Sequence, residues 1–280
     1  MTGNILLYEE LSLNALPALQ TQFYDGWILR YTSGFGYTNR ANSVNILYPS
    51  TIDIDEKIAE CVKRYFAQNL PAVFKITDGA DKEFDAILEN KGYTVLNPTY
   101  LMAADISAIN DSPDTCDCAL ASHIGDKWLE AYFTLSGYTD KKRIDIGKQI
   151  FANIRVSVIC GRIIKGSDYN RDGDINRSSV IIKDGAYDGS NVSIGGGAAV
   201  ACGLCTVERG YAGLFNIVVD ERHRGKGYGM QICASLLAAA KRAGARKAYL
   251  QVMQDNGVAI NLYNKLGFNT QYSYWYRVKY

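Results

Sequence analysis

Apolar residues recur along this 280-residue chain at two spacings, every second residue or every third to fourth, and the switches between them mark its elements. Residues 11–24 read as a helix. Residues 26–32 read as a strand, followed by a turn at Gly34 and Gly36, and 43–48 as a second strand closed by Pro49. Over 53–68, Ile54, Ile58, Cys61, Val62 and Tyr65 share one helical face. A strand over 72–77, a helix over 81–90 stopped by Gly92, and strands over 93–96 and 99–104 complete a first unit. The polar, proline-bearing segment 110–114 reads as a linker. Helices over 126–134 and 140–153 and a strand over 156–164 follow, then a long polar stretch over 166–197. Strands over 198–208 and 211–219 pair around Arg209 and Gly210. The helix over 227–242 puts Ile232, Cys233, Leu236, Leu237 and Ala240 on one face. Lys241 and Arg242 suit its negative end, and Gly244 stops it. A strand over 247–253, a helix over 258–266 stopped by Gly267, and a strand over 271–279 come last.

This order of strands and helices is that of an α/β protein. Its two halves look alike: Glu89 to Tyr93 echoes Asn264 to Phe268, each ending a helix before a strand. Two domains are expected, 1–110 and 115–280, which also suits the length. The copies differ in one place. After its strand over 43–48 the first passes to a helix through Pro49–Asp53 with no glycine, whereas the second has a glycine-rich turn.

Composition narrows the function. A net charge of +1 argues against a general nucleic-acid binder or a membrane-surface protein, and no run is apolar and long enough to cross a bilayer. The N-terminus lacks the basic start and apolar core of a signal peptide. Seven cysteines, an odd count, fit reduced thiols in a cytoplasm. Cys202 and Cys205 lie three apart in a strand-like run and so face opposite sides; they and Cys116 and Cys118 are expected as buried thiols, with no metal site. Tyrosine is frequent, at 20 residues, and either lines a pocket or fills sheets.

The segment from Leu214 to Met230 carries the chemistry. An apolar run to Val219 is followed by Asp220 and Glu221, then by Arg222, His223, Arg224, Gly225, Lys226, Gly227, Tyr228 and Gly229, then by a helix. Glycines let backbone N–H groups converge, the helix N-terminus adds partial positive charge, and Arg222, Arg224 and Lys226 add full charges, as an anion site requires. The spacing is neither that of a dinucleotide fingerprint nor that of a P-loop.

Arg222-x-x-Gly225-x-Gly227 resembles the Arg/Gln-x-x-Gly-x-Gly/Ala signature of the GNAT N-acetyltransferases, placed after a fourth strand and at the start of a long helix. Asn256-x-x-Ala259-x-x-Leu262-Tyr263-x-x-x-Gly267-Phe268 is similar to the closing helix of that family. The resemblance covers about 115–280; for 1–110 it rests on element order. It implies a mixed, mostly antiparallel sheet flanked by helices, in two tandem copies of which the first is degenerate. It implies acetyl-CoA as co-substrate, with Arg222 to Gly229 on the pyrophosphate and Asn216, Ile217, Val218 and Val219 beside the pantetheine arm. It also implies Asn256 near that arm or the following helix, and Tyr263 as the general acid for the leaving thiolate. The expected activity is acetyl transfer to a primary amine of a small molecule, amino acid or peptide. The alternatives are a CoA-binding regulator without turnover and an acyltransferase for longer chains. Neither Glu208 nor His223 is assigned as a base. The N-terminal domain and the helices over 126–153 are expected to wall the acceptor pocket, with Trp27, Arg30, Tyr37 and Arg40 as candidates. No nucleic-acid or membrane partner is expected, and the protein is a monomer or homodimer. One motif stands apart: Asp168 to Asn176 fits the first nine positions of a calcium loop and resembles that of dockerin modules, but Ser179 stands where a bidentate acid is required.

Overall fold

The computed structural model describes residues 3–32, 38–78, 82–109, 118–165, 182–183, 186–187 and 198–279. In chain order the elements are α1 (Gly3–Ala15), β1 (Gln20–Tyr24), β2 (Trp27–Tyr31), β3 (Val44–Ile46), α2 (Ile54–Phe66), β4 (Val73–Thr77), α3 (Lys82–Asn90), β5 (Thr94–Asp105), β6 (Cys118–Ala121), α4 (Asp126–Leu135) and α5 (Lys141–Ala152). They continue with β7 (Ser157–Lys165), β8 (Ile182–Lys183), β9 (Ala186–Tyr187), β10 (Ala198–Glu208), β11 (Tyr211–Val219), α6 (Tyr228–Arg242), β12 (Lys247–Met253), α7 (Gly257–Lys265) and β13 (Asn269–Val278). The fold is mixed α/β and mostly antiparallel; β3 and β4 are a parallel pair.

Two differences from the sequence reading are local. Residues 11–24 are not one helix: α1 ends at Ala15, just before Leu16 and Pro17, and β1 begins at Gln20. Proline disfavours the α conformation in the residue before it. β1 then pairs with β2 through a two-residue turn, Tyr24 opposite Trp27, with Asp25 and Gly26 both at positive φ (42° and 81°). Asp-Gly is a strong short-range hairpin signal, and the helical reading passed over it. The strands expected over 93–96 and 99–104 are one strand, β5. It crosses Asn97 and Pro98 by a bulge: Tyr274 of β13 faces Thr99 and Tyr276 faces Leu96, leaving two residues of β5 opposite Trp275. The turn at 34–36, the linker at 110–114 and the calcium-like loop at 168–176 lie outside the described residues.

The chain forms two compact units, and neither is a single stretch. The first comprises 1–103, 140–155 and 249–280; the second comprises 104–139 and 156–248. The sequence reading divides the chain once, between 110 and 115. The difference arises because β13, at the end of the chain, pairs antiparallel with both β4 and β5. In the first unit the strand order is β1-β2-β3-β4-β13-β5. Its core gathers Trp27, Leu29, Val44, Ile58, Cys61, Tyr65, Phe74, Phe84 and Leu88. The second unit orders β11-β10-β7-β6, with α6 packed on β7, β10 and β11. The α6 face expected from periodicity is the buried one: Ile232, Cys233, Leu236, Leu237 and Ala240 are all fully buried.

α6 lies close to the sheet because of Gly203. A Cβ there would stand 2.6 Å from Ile217 Cδ1 and 2.8 Å from Leu236 Cδ1. Gly203 also faces a bulge in β11: Cys202 pairs with Val218 and Leu204 with Phe215, so Asn216 and Ile217 together oppose one residue. The Gly203 carbonyl accepts from Trp128 Nε1 of α4 at 3.0 Å.

Candidate functional site

The predicted phosphate loop follows β11 directly. Asp220 N donates to Val200 O at 2.9 Å, and a single turn of 3-10 helix spans Glu221–His223. Asp220 organises this turn. Its carboxylate accepts from Arg222 N, Nε and Nη2 at 2.9, 3.1 and 3.0 Å and lies 3.1 Å from His223 Nδ1. The Arg222 guanidinium and then the His223 ring hold the Asp220 carboxyl well below the usual carboxylate range. Asp220 in turn raises the Arg222 guanidinium above its ordinary value. Arg224 reaches Glu221 at 3.5 Å, and Lys226 Nζ donates to Arg222 O at 3.0 Å. Two of the three loop cations therefore already face carboxylates. The attraction for an anion rests on Lys226, on backbone N–H groups and on the helix terminus.

That terminus is open. Gly227 is the N-cap of α6 at φ 84°, with no side-chain cap and no acidic residue in the first turn. Gly225 is also at positive φ (75°), and a Cβ added at either glycine would meet nothing within 4 Å. Free space, unshared amides and a left-handed backbone at the start of a 15-residue helix fit a phosphate group. Tyr228 packs edge-on to His223, with ring centroids 6.1 Å apart, and Gly229 lies in the first turn of α6.

The start of the segment is strained. Asn216 sits in the β11 bulge at φ 53°, and its buried Nδ2 has no hydrogen-bond partner. Ile217 follows within the bulge, and Val218 and Val219 return to register opposite Cys202 and Ala201. Asn216 to Gly229 thus form one continuous run in the second unit.

Asn256 and Tyr263 belong to the first unit. Asn256 is the N-cap of α7, its side chain accepting from Ala259 N at 3.1 Å. Tyr263 is half-buried on α7, its ring 6.1 Å from that of Phe268. The echo between the halves is geometric as well as sequential. Gly92 and Gly267 sit at φ 84° and 85°. Tyr93 N donates to Leu88 O and Phe268 N to Tyr263 O, both at 3.0 Å, closing the same C-terminal motif. Leu88 therefore occupies in the first copy the helix position that Tyr263 occupies in the second.

The suggested acceptor wall is corrected in part. Trp27 is 1% exposed and belongs to the core. Arg30, 3% exposed, donates to the carbonyls of Arg40, Leu13 and Leu16. These backbone partners make it a structural residue. Arg40 lines a cleft, and Tyr37 lies outside the described residues. Sequence reasoning missed the rest of that cleft, which includes Asn97, Thr99, Gln251, Tyr274 and Tyr276. The alternation of Tyr272, Tyr274 and Tyr276 on one strand face was the available signal. Cys202 and Cys205 are fully buried; burial pushes the Cys202 thiol up to about 12 and Cys205 further in the same direction. No described helix is long and apolar enough to cross a membrane.

A family model described as "Probable histone acetyltransferase Rv0428c C-terminal" matches residues 2–277. The uncharacterized N-acetyltransferase YobR of Bacillus subtilis is 29% identical over 277 residues, covering 97% of each chain. Among solved structures, a GCN5-related N-acetyltransferase from Kribbella flavida aligns over all of this chain and 96% of its own, with a TM-score of 0.65 at 14% identity. A tandem GNAT protein from the clavulanic acid biosynthesis pathway aligns over 85% of this chain and 74% of its own, with a TM-score of 0.58 at 12% identity. The chain belongs to the family of this acetyltransferase model and, with it, to the GNAT N-acetyltransferases.

Proposed function

We propose that the protein transfers an acetyl group from acetyl-CoA to a primary amine of a small molecule, amino acid or peptide, by direct attack of the amine. The observation that carries this reading is the contrast between two helix N-termini. At α6 the terminus is uncapped, glycine-flanked and free of acidic residues. At α2 the Asp53 carboxylate accepts from Asp55 N and Glu56 N, and Asp55 and Glu56 fill the first turn. An anion is attracted to the first and repelled from the second. The domain over 115–280 is accordingly the live copy and 1–110 the degenerate one.

Bound acetyl-CoA supplies the activated acetyl thioester. Backbone N–H groups from Arg222 to Gly229 hold the pyrophosphate, with Gly225 and Gly227 allowing close approach. Asn216, Ile217, Val218 and Val219 receive the pantetheine arm as an added strand, and the N–H near Val218 polarises the acetyl carbonyl. Asn256 fixes the start of α7 and is a positioning residue. The acceptor ammonium first loses a proton to solvent. As the C–N bond forms and the C–S bond breaks, Tyr263 gives a proton to the departing thiolate, whose pKa of about 8–9 requires one at neutral pH. The proton released by the new amide nitrogen restores the phenol. Leu88, at the matching position of the first copy, has no proton to give.

Release of free thiol from acetyl-CoA over a panel of amines tests the reading. Amine-dependent release is expected. CoA binding with no release on a broad panel contradicts it.

A further inference from the structure

The first unit contains a polar cleft to which the acetyl-transfer mechanism assigns no step. Tyr274 and Tyr276 of β13 lie on one face with ring centroids 5.7 Å apart. With Asn97 and Thr99 of β5, Gln251 of β12 and Arg40, among others, they line a cavity of about 180 Å³. This is well under the ~300–1,000 Å³ of sites for drug-sized ligands.

The cleft is held open by backbone. The β5 bulge places Asn97 at φ 52°, and Asn97 O accepts from Thr99 Oγ1 at 2.8 Å. Arg40 is rooted on the opposite side. Its N–H donates to Thr38 Oγ1 at 3.3 Å, its carbonyl accepts from Arg30 Nη1 at 2.6 Å, and Ala41 beside it is fully buried. The Arg40 guanidinium itself has no hydrogen bond or ion pair among the described residues, and Arg40 is the one charged residue of the lining. Lys75, over the Tyr274 ring at 4.0 Å, adds no net charge, because Glu9 pairs with it at 2.5 Å.

Two buried polar atoms of the lining have no partner: the Tyr276 hydroxyl and Gln251 Oε1. Tyr276 is 3% exposed. Gln251 Nε2 donates to Ser12 Oγ at 3.1 Å, which leaves Oε1 as an acceptor. Unpaired buried polar atoms are uncommon and costly. Here two residues with an unpaired buried polar atom and a cation without a counter-ion among the described residues line the same cleft.

We propose that this cleft binds a small monocarboxylate with a neighbouring N–H donor, the chemistry of a free α-amino acid. The carboxylate takes the Arg40 guanidinium and the Tyr276 hydroxyl, and the amino group donates to Gln251 Oε1. One cation balances one carboxylate, and the planar fork of arginine matches a carboxylate in-plane. The inference goes beyond the acetyl-transfer reading and stands without it.

Isothermal titration of the full chain with α-amino acids, their amides and the corresponding decarboxylated amines tests the cleft. The acid is expected to bind about tenfold or more tightly than its amide. Arg40→Gln is expected to erase that preference with an unchanged melting temperature. Tyr276→Phe removes a hydroxyl that has no partner, so it should leave the fold as stable or more so while weakening the acid. A role confined to folding predicts the reverse. Acetylation of the bound acid marks it as the acceptor, and binding without acetylation marks it as a regulator; both support the site. No binding of any acid at millimolar concentration, equal binding of acid and amide, or an intact preference in Arg40→Gln overturns it. None of these results bears on CoA affinity, which is measured separately.

Discussion

Tyr263 and Leu88 are the same position in two copies of one helix ending, and one carries a phenol where the other carries a methyl-branched core residue. On the proposed mechanism, that difference places proton transfer in the second copy alone. Tyr263→Phe keeps the ring against Phe268 and removes only the hydroxyl. Turnover is expected to fall about a hundredfold or more with CoA affinity nearly unchanged, measured by steady-state kinetics and titration. Unchanged turnover removes the acid role. The glycines and cations of the proposed phosphate loop were readable because residue type and spacing alone define them. What the sequence did not reveal is that Asp220 and Glu221 occupy Arg222 and Arg224, since a charge run does not say which charges face each other. Arg40 was legible only as one cation among many. The cleft it lines with Tyr276 and Gln251, each carrying one unpaired buried polar atom, is built by strands far away in sequence.

At the scale of elements, periodicity located most helices and strands, and the bounds of β10 and β11 agree with the reading residue for residue. It failed where backbone devices replace regular pattern. Asp25-Gly26 makes a hairpin turn directly after residues read as a helix, so that 20–24 are a strand, and Asn97-Pro98 makes a bulge where proline suggested a break. The packing of α6 on Gly203 gives a stability prediction. Gly203→Ala puts a Cβ within 3 Å of Ile217 and Leu236, so the variant is expected to lose about 1–3 kcal/mol in chemical denaturation. No loss would mean that α6 stands further from β10.

A second prediction concerns α3 and β13. Asp85 accepts from Arg277 Nε and Nη2, both at 2.8 Å, and from Trp275 Nε1 at 2.9 Å. Arg277, and less so Trp275, holds the Asp85 carboxyl below its ordinary value. A depressed carboxylate stabilises the fold fully above its unfolded pKa of about 3.9, and that contribution is lost as pH falls through the lower folded value. Melting temperature should therefore drop on acidification below about pH 4, and Asp85→Asn should drop less steeply there while being less stable at pH 7. Parallel profiles for the two proteins would contradict this.

For the whole molecule, the internal echo was visible in sequence, but the pairing of the last strand was not. A linear reading cuts the chain once, whereas the last strand, β13, pairs with β4 and β5 and joins the first compact unit. Strand partners so distant in sequence leave no local pattern to read. Membership of the GNAT acetyltransferases covers nearly the whole chain. The central claim is that of two similar copies one binds the co-substrate, at the turn from Arg222 to Gly229. Calorimetric titration of CoA into the full chain and into Gly227→Glu tests it most directly. Gly227 has open space around it, so the substituted side chain leaves the core untouched; at φ 84° it strains the turn locally and is expected to lower the melting temperature, while its charge repels phosphate. The expected result is one CoA per chain, with binding abolished in a variant that melts as a folded protein. Two CoA per chain, or affinity that survives Gly227→Glu, would contradict it.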